Sequence, residues 1–171
     1  MRRLAPLLAV LAIAIIAVPA TAAPRSKLLT FGTGDVTLVG RDGATLDNDS
    51  GEFSGVYLKK QGARHLRGLS FSFDYAGDIA GGAPRFSIPI DTDHNATTDN
   101  GYAFVDAINC GDTGTVSTTD PDCKVFFGSD VYDNWADFAA ANPKYRIPPR
   151  GIPFVIADQP GHYALTNIDL R

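Results

Sequence analysis

Apolar and polar side chains alternate along much of this chain, most regularly from residue 69. In Leu69-Ser70-Phe71-Ser72-Phe73-Asp74-Tyr75, the apolar residues fall on one side of an extended backbone and the polar ones on the other, which predicts a half-buried strand with one wet face. Arg85 to Ile90 repeats the pattern with Phe86, Ile88 and Ile90. Pro89 lies on the polar side of that strand and has no N–H to donate, which predicts an edge strand or a bulge. Weaker strand patterns occupy 36–39, 53–59, 102–108, 124–127, 153–157 and 163–170, and turns rich in Gly, Asp and Asn separate them. Roughly seven to nine short strands punctuated this way predict a mainly β protein, a β-sandwich or jelly roll.

A different period appears once. Trp135, Phe138 and Ala139 sit at helical spacing, so one short helix is predicted near 131–141, with Ser129 or Asp130 as its cap. Asn142-Pro143 ends it, because a residue before proline avoids the α region. Trp135 is expected chiefly to pack this helix onto a sheet, with stacking on a sugar as the alternative. The proline-rich segment from Pro143 to Pro153 reads as an extended loop.

The N-terminus follows another logic. Arg2-Arg3, an apolar run from Leu7 to Val18 and the small residues Ala20-Thr21-Ala22 form the three regions of a secretory signal peptide. The run falls short of the ~20 apolar residues a membrane span needs. The expected organisation is a leader over 1–23 and a single β-sandwich domain over 24–171, secreted and extracellular, with no membrane span in the mature chain. Losing Arg2 and Arg3 with the leader leaves 13 basic against 19 acidic residues, a net charge near −6. That balance disfavours nucleic acid and anionic membranes as partners. In an oxidising compartment the two cysteines, Cys110 and Cys123, are expected to form a disulfide, worth about 3 kcal/mol for a loop of this size in the chain-entropy model.

The segment from Asp91 to Asp99 carries the strongest candidate chemistry. Asp91, Asp93, Asn95, Thr97 and Asp99 place oxygens at every second residue, the kind of donor set that calcium requires. Its first half resembles the calcium loops of EF-hands, dockerins and thrombospondin-type repeats. Ala96 and Tyr102 stand where an EF-hand needs glycine and a bidentate acid, and the flanks read as strands, so the expectation is a structural calcium ion in a β-hairpin loop. The competing reading is a solvated acidic hairpin tip. His94 is interleaved and expected to face solvent. Asn48-Asp49-Ser50 and Asn95-Ala96-Thr97 fit the N-glycosylation pattern. No nucleophile-elbow, zinc-protease or phosphate-loop motif occurs.

The segments 55–60, 69–75, 84–93 and 162–171 together resemble secreted bacterial jelly-roll modules of the galactose-binding-like and carbohydrate-binding kind. That resemblance implies a non-catalytic protein, stabilised by calcium, that recognises a polysaccharide, a cell-wall glycan or another cell-surface ligand. It implies Tyr57, Trp135, Tyr145 and Arg146 as contacts. The alternatives are a small secreted hydrolase working with two carboxylates, which would face each other in a cleft, and a secreted interaction protein that binds no glycan.

Overall fold

The computed structural model describes residues 27–58, 64–95 and 101–170. The leader expected over 1–23, and Thr97 and Asp99 of the acidic loop, lie outside these residues. The described chain is a β-sandwich of two antiparallel sheets with one α-helix.

With strands numbered in chain order, the larger sheet has seven. Its spatial order is β1 (Leu28–Gly32), β4 (Ser54–Leu58), β13 (Phe154–Ala157), β7 (Arg85–Pro89), β8 (Tyr102–Asp106), β10 (Val125–Phe127) and β11 (Asp130–Tyr132). The smaller sheet has five, in the order β2 (Asp35–Val39), β3 (Gly43–Asn48), β14 (Gly161–Leu170), β6 (Phe71–Gly77) and β9 (Thr115–Ser117). A two-stranded ribbon, β5 (Arg64–His65) with β12 (Arg146–Ile147), completes the β structure.

The core lies between the sheets. Val56, Phe86, Ile88, Val105 and Val155 from the larger sheet meet Leu46, Phe71, Phe73, Tyr163 and Leu165 from the smaller one, all fully or almost fully buried. Phe86 ties the layers directly, with its ring centroid 4.8 Å from Phe73 and 5.9 Å from Phe71. The alternation at residues 69–75 therefore does what it predicts: Phe71 and Phe73 point inward from β6.

The helix, α1 (Trp135–Ala141), begins later than the sequence pattern predicts. Residues 130–132 instead fold back on β10 as β11, with Gly128 and Ser129 as a two-residue loop and Gly128 at φ +60°. A loop of that length needs a positive φ, which glycine supplies without strain. The cap is Asn134, whose side-chain oxygen accepts from the Asp137 N–H at 2.9 Å. Trp135 lies 3 % exposed and donates its indole N–H to the Leu66 carbonyl at 3.0 Å. It packs the helix onto the sandwich.

Pro89 is not on an edge strand. β7 lies between β13 and β8, and the proline is its last residue. Pairing with β13 starts at Phe154 opposite Ser87, so no β13 partner stands opposite Pro89 to miss its N–H.

Candidate functional site

The two sheets differ in what they turn outward. On the smaller sheet the outward residues are largely polar, including Thr37, Thr45, Ser72, Asp74, Thr115 and Ser117, as expected of a wet face. The larger sheet breaks that rule. One ladder row runs Leu29, Tyr57, Phe154, Ser87, Phe104, Phe126 and Val131 across all its strands. The partners' inward neighbours, such as Val56, Val155 and Phe86, already fill the core, so this row faces away from it. Phe31, Tyr102 and Ile156 lie two residues along their strands and share the same face.

The rings on this face form one connected track. Phe31 stands 6.5 Å from Phe53, 6.0 Å from Tyr57 and 5.3 Å from Phe154, centroid to centroid. Phe154 continues to Tyr102 at 5.7 Å, and Tyr102 stacks near-parallel on Phe104 at 6.5 Å. Phe53 is 39 % and Tyr102 37 % exposed, and the other rings of the track are half-buried. Together they make a contiguous, partly exposed apolar surface.

The track ends in a shallow cleft of about 430 Å³ where Arg85, Asp106, Asn109 and Asp158 stand beside Phe104 and Phe126, with Gly81 and Gly82 at its rim. Arg85 lies over the Phe104 ring, its guanidinium carbon 5.2 Å from the centroid. It also makes a two-pronged ion pair with Asp158, Nη1 to Oδ1 and Nη2 to Oδ2, both at 2.6 Å. The Asp158 carboxyl is held below the usual carboxylate range, mainly by these Arg85 hydrogen bonds, with partial burial opposing them. Asp106 accepts from the Asn109 backbone and side-chain N–H groups at 2.9 Å.

The turn that carries Asp158 is fixed from below. Asn48 donates through Nδ2 to the carbonyls of Ala157 and Gln159, at 2.8 and 3.3 Å, on either side of Asp158. The buried Tyr163 donates its hydroxyl to Gln159 O at 3.1 Å. Asn48 is 7 % exposed with its amide nitrogen engaged, so the glycosylation pattern at 48–50 has no accessible acceptor. On the other side of the cleft, the Cys110–Cys123 disulfide forms as expected and anchors the short 3₁₀ turn Ile108–Cys110 that presents Asn109.

The residues singled out in the sequence do not come together as one site. Tyr57 belongs to the aromatic track. Trp135 is in the core, and only its edge lines a separate cleft of about 560 Å³ with Leu66, Leu69, Thr118 and Pro121. Tyr145 is half-buried against Phe127, 5.8 Å away, and Phe138, 6.4 Å away, on the inward side of the larger sheet. Arg146 pairs with the acidic loop: its Nε donates to Asp91 Oδ2 at 2.8 Å, and the two residues exchange backbone hydrogen bonds.

Asp91 itself is fully buried, and its Oδ1 has no hydrogen-bond partner among the described residues. Burial opposes its ionisation, but the Arg146 guanidinium and the His94 backbone N–H outweigh that and hold its carboxyl below the usual range. Asp93 and Asn95 are exposed, with Asp93 Oδ1 accepting from the Asn95 N–H at 2.8 Å. His94 is exposed at φ +63°. Thus the cation beside Asp91 is a guanidinium, and among the described residues no three His, Cys, Asp or Glu side chains group around a possible metal position.

Comparison with protein-family models, with curated proteins and with solved structures returns no match.

Proposed function

We propose that this chain is a secreted, non-catalytic binding protein that holds a glycan against the outer face of its larger sheet. The observation that carries the reading is the aromatic track running into a shallow cleft that holds charged groups, from Phe53 to the Arg85–Asp158 pair. A pyranose ring has apolar C–H faces and a rim of hydroxyls. Rings on a rigid sheet cover the faces, and fixed carboxylate and amide groups meet the rim, at little conformational cost because the strands already hold them. The Cys110–Cys123 disulfide accords with export to an oxidising compartment.

Asp106 and Asp158 line one cleft, as the carboxylates of a hydrolase would. Against catalysis stands the engagement of both carboxylates: Asp158 is clamped by Arg85, and Asp106 accepts three hydrogen bonds from Asn109.

The test is a pull-down on insoluble polysaccharides with the wild-type protein and with Tyr102→Ala and Phe104→Ala. Each truncation removes a ring worth about 1 kcal/mol of contact, so retention should weaken by about fivefold. Retention unchanged in both variants, or none by the wild type, would sink the proposal.

A further inference from the structure

Resting on that glycan reading, we infer that the cleft selects uncharged, hydroxyl-rich sugars over uronates, and that Asp158 makes the selection. An arginine beside an aromatic wall would ordinarily capture a carboxylate through its fork of N–H donors. Here both terminal nitrogens of Arg85 already point at Asp158, at 2.6 Å each. The end-on fork of the guanidinium is therefore taken by Asp158, and the positive charge behind its remaining N–H groups is offset by that carboxylate.

The remaining charge in the cleft is negative. Arg85 carries one positive charge and Asp158 and Asp106 one negative charge each, so the lining sums formally to −1. Lys124, on the approach to β10, is exposed and does not line the cleft. Asp106 is 6 % exposed, and its oxygens already accept from Asn109. A sugar carboxylate entering here would meet two fixed carboxylates and a single guanidinium already paired end-on with one of them. A sugar hydroxyl donates to either carboxylate without penalty.

Asp158 is the side chain that can be changed without opening the core. It stands in a turn, 34 % exposed, and the bonds that hold the turn come from Asn48 and Tyr163 to backbone carbonyls. Asp158→Asn removes one negative charge and releases Arg85 from its strongest partner while leaving those bonds in place. Removing one of two like charges from the cleft is expected to strengthen uronate binding by about tenfold, which is about 1.4 kcal/mol.

The experiment is affinity electrophoresis at low ionic strength through gels containing neutral polymers (mixed-linkage β-glucan, xylan, galactomannan) or acidic ones (polygalacturonate, alginate). The wild type should be retarded by at least one neutral polymer and run freely through both acidic ones. Asp158→Asn, with a circular dichroism spectrum like the wild type, should be retarded by an acidic polymer. Wild-type retardation by an acidic polymer, or an Asp158→Asn protein that still runs freely through them, overturns the selection while leaving the glycan reading standing. No retardation of either protein by any polymer overturns both.

Discussion

Arg85 and Asp158 are joined by two parallel N–H···O bonds of 2.6 Å, at the end of a row of aromatic rings on the outer face of the larger sheet. The pair links β7 to the turn after β13, next to the point where Arg85 and Ile156 sit opposite each other in the ladder. On the proposed reading, this clamp serves to orient a ligand more than to stabilise the fold.

The first expectation follows from that position. Arg85 and Asp158 are 18 % and 34 % exposed, so water screens the pair and its net worth is at most about 1 kcal/mol. Arg85→Ala should lower the melting temperature by only about 2–4 °C while weakening retention on polysaccharide, because Asp158 loses the partner that positions it. Differential scanning calorimetry beside the pull-down separates the two effects. A large loss of stability with unchanged retention would assign Arg85 to the fold.

Arg146 and Asp91 should behave the other way. Asp91 is fully buried and takes the guanidinium at 2.8 Å, so Arg146→Ala leaves a buried carboxylate without its cation. The expected cost is about 3 kcal/mol or more, read as a fall in the urea midpoint. Retention on glycan, corrected for the folded fraction, should not change.

The same pair sets an acid limit. The Asp91 carboxyl is lower in the folded protein than in the unfolded chain. Its contribution is therefore complete above the unfolded value, about 4, and is lost as pH falls below that towards the folded value. Stability measured from neutral pH downwards should drop steeply below about pH 4 in the wild type. In Asp91→Asn it should start lower and fall less steeply. Parallel curves for the two proteins would show that Asp91 contributes nothing to the acid transition.

How much of this was legible in the sequence depends on strand length and on which face is asked about. The stretch 69–75 could be read because one face is core and the other solvent. Tyr102 to Val105 and Phe154 to Ala157 are apolar on both parities, so alternation cannot say which rings face out. The signal was there in those unbroken runs: on an antiparallel sheet with one buried face, a two-sided apolar strand means the second face is also in use. β5, β9, β11 and β12 have two or three residues each and exist through their pairing partners, which no local pattern reveals. Arg85 looked like the polar start of a strand, and Asp158 like one residue of a turn. Only the register of β13 on β7 brings them together.

The disulfide could be read from compartment and count alone, and it carries a separate expectation. The bridge closes a loop of 13 residues of sequence separation between two buried sulfurs. Replacing both Cys110 and Cys123 by serine should cost about 3 kcal/mol in denaturant unfolding, part of it through the unfolded chain. Because Cys110 ends the turn that presents Asn109, glycan retention should also weaken in the folded variant. Equal stability of the two proteins would contradict a structural role for the bridge.

The outer face of the larger sheet is tested most directly by ¹H–¹⁵N chemical-shift mapping with a neutral oligosaccharide cut from the polymer that retains the protein. Backbone amides of β4, β13, β7 and β8 should move together, with the largest changes near Phe154, Phe104 and Arg85. Amides of the outward residues of the smaller sheet, Thr37, Thr45 and Ser117 among them, should stay still. Changes centred instead on that polar face or on the cleft beside Trp135 would contradict the assignment.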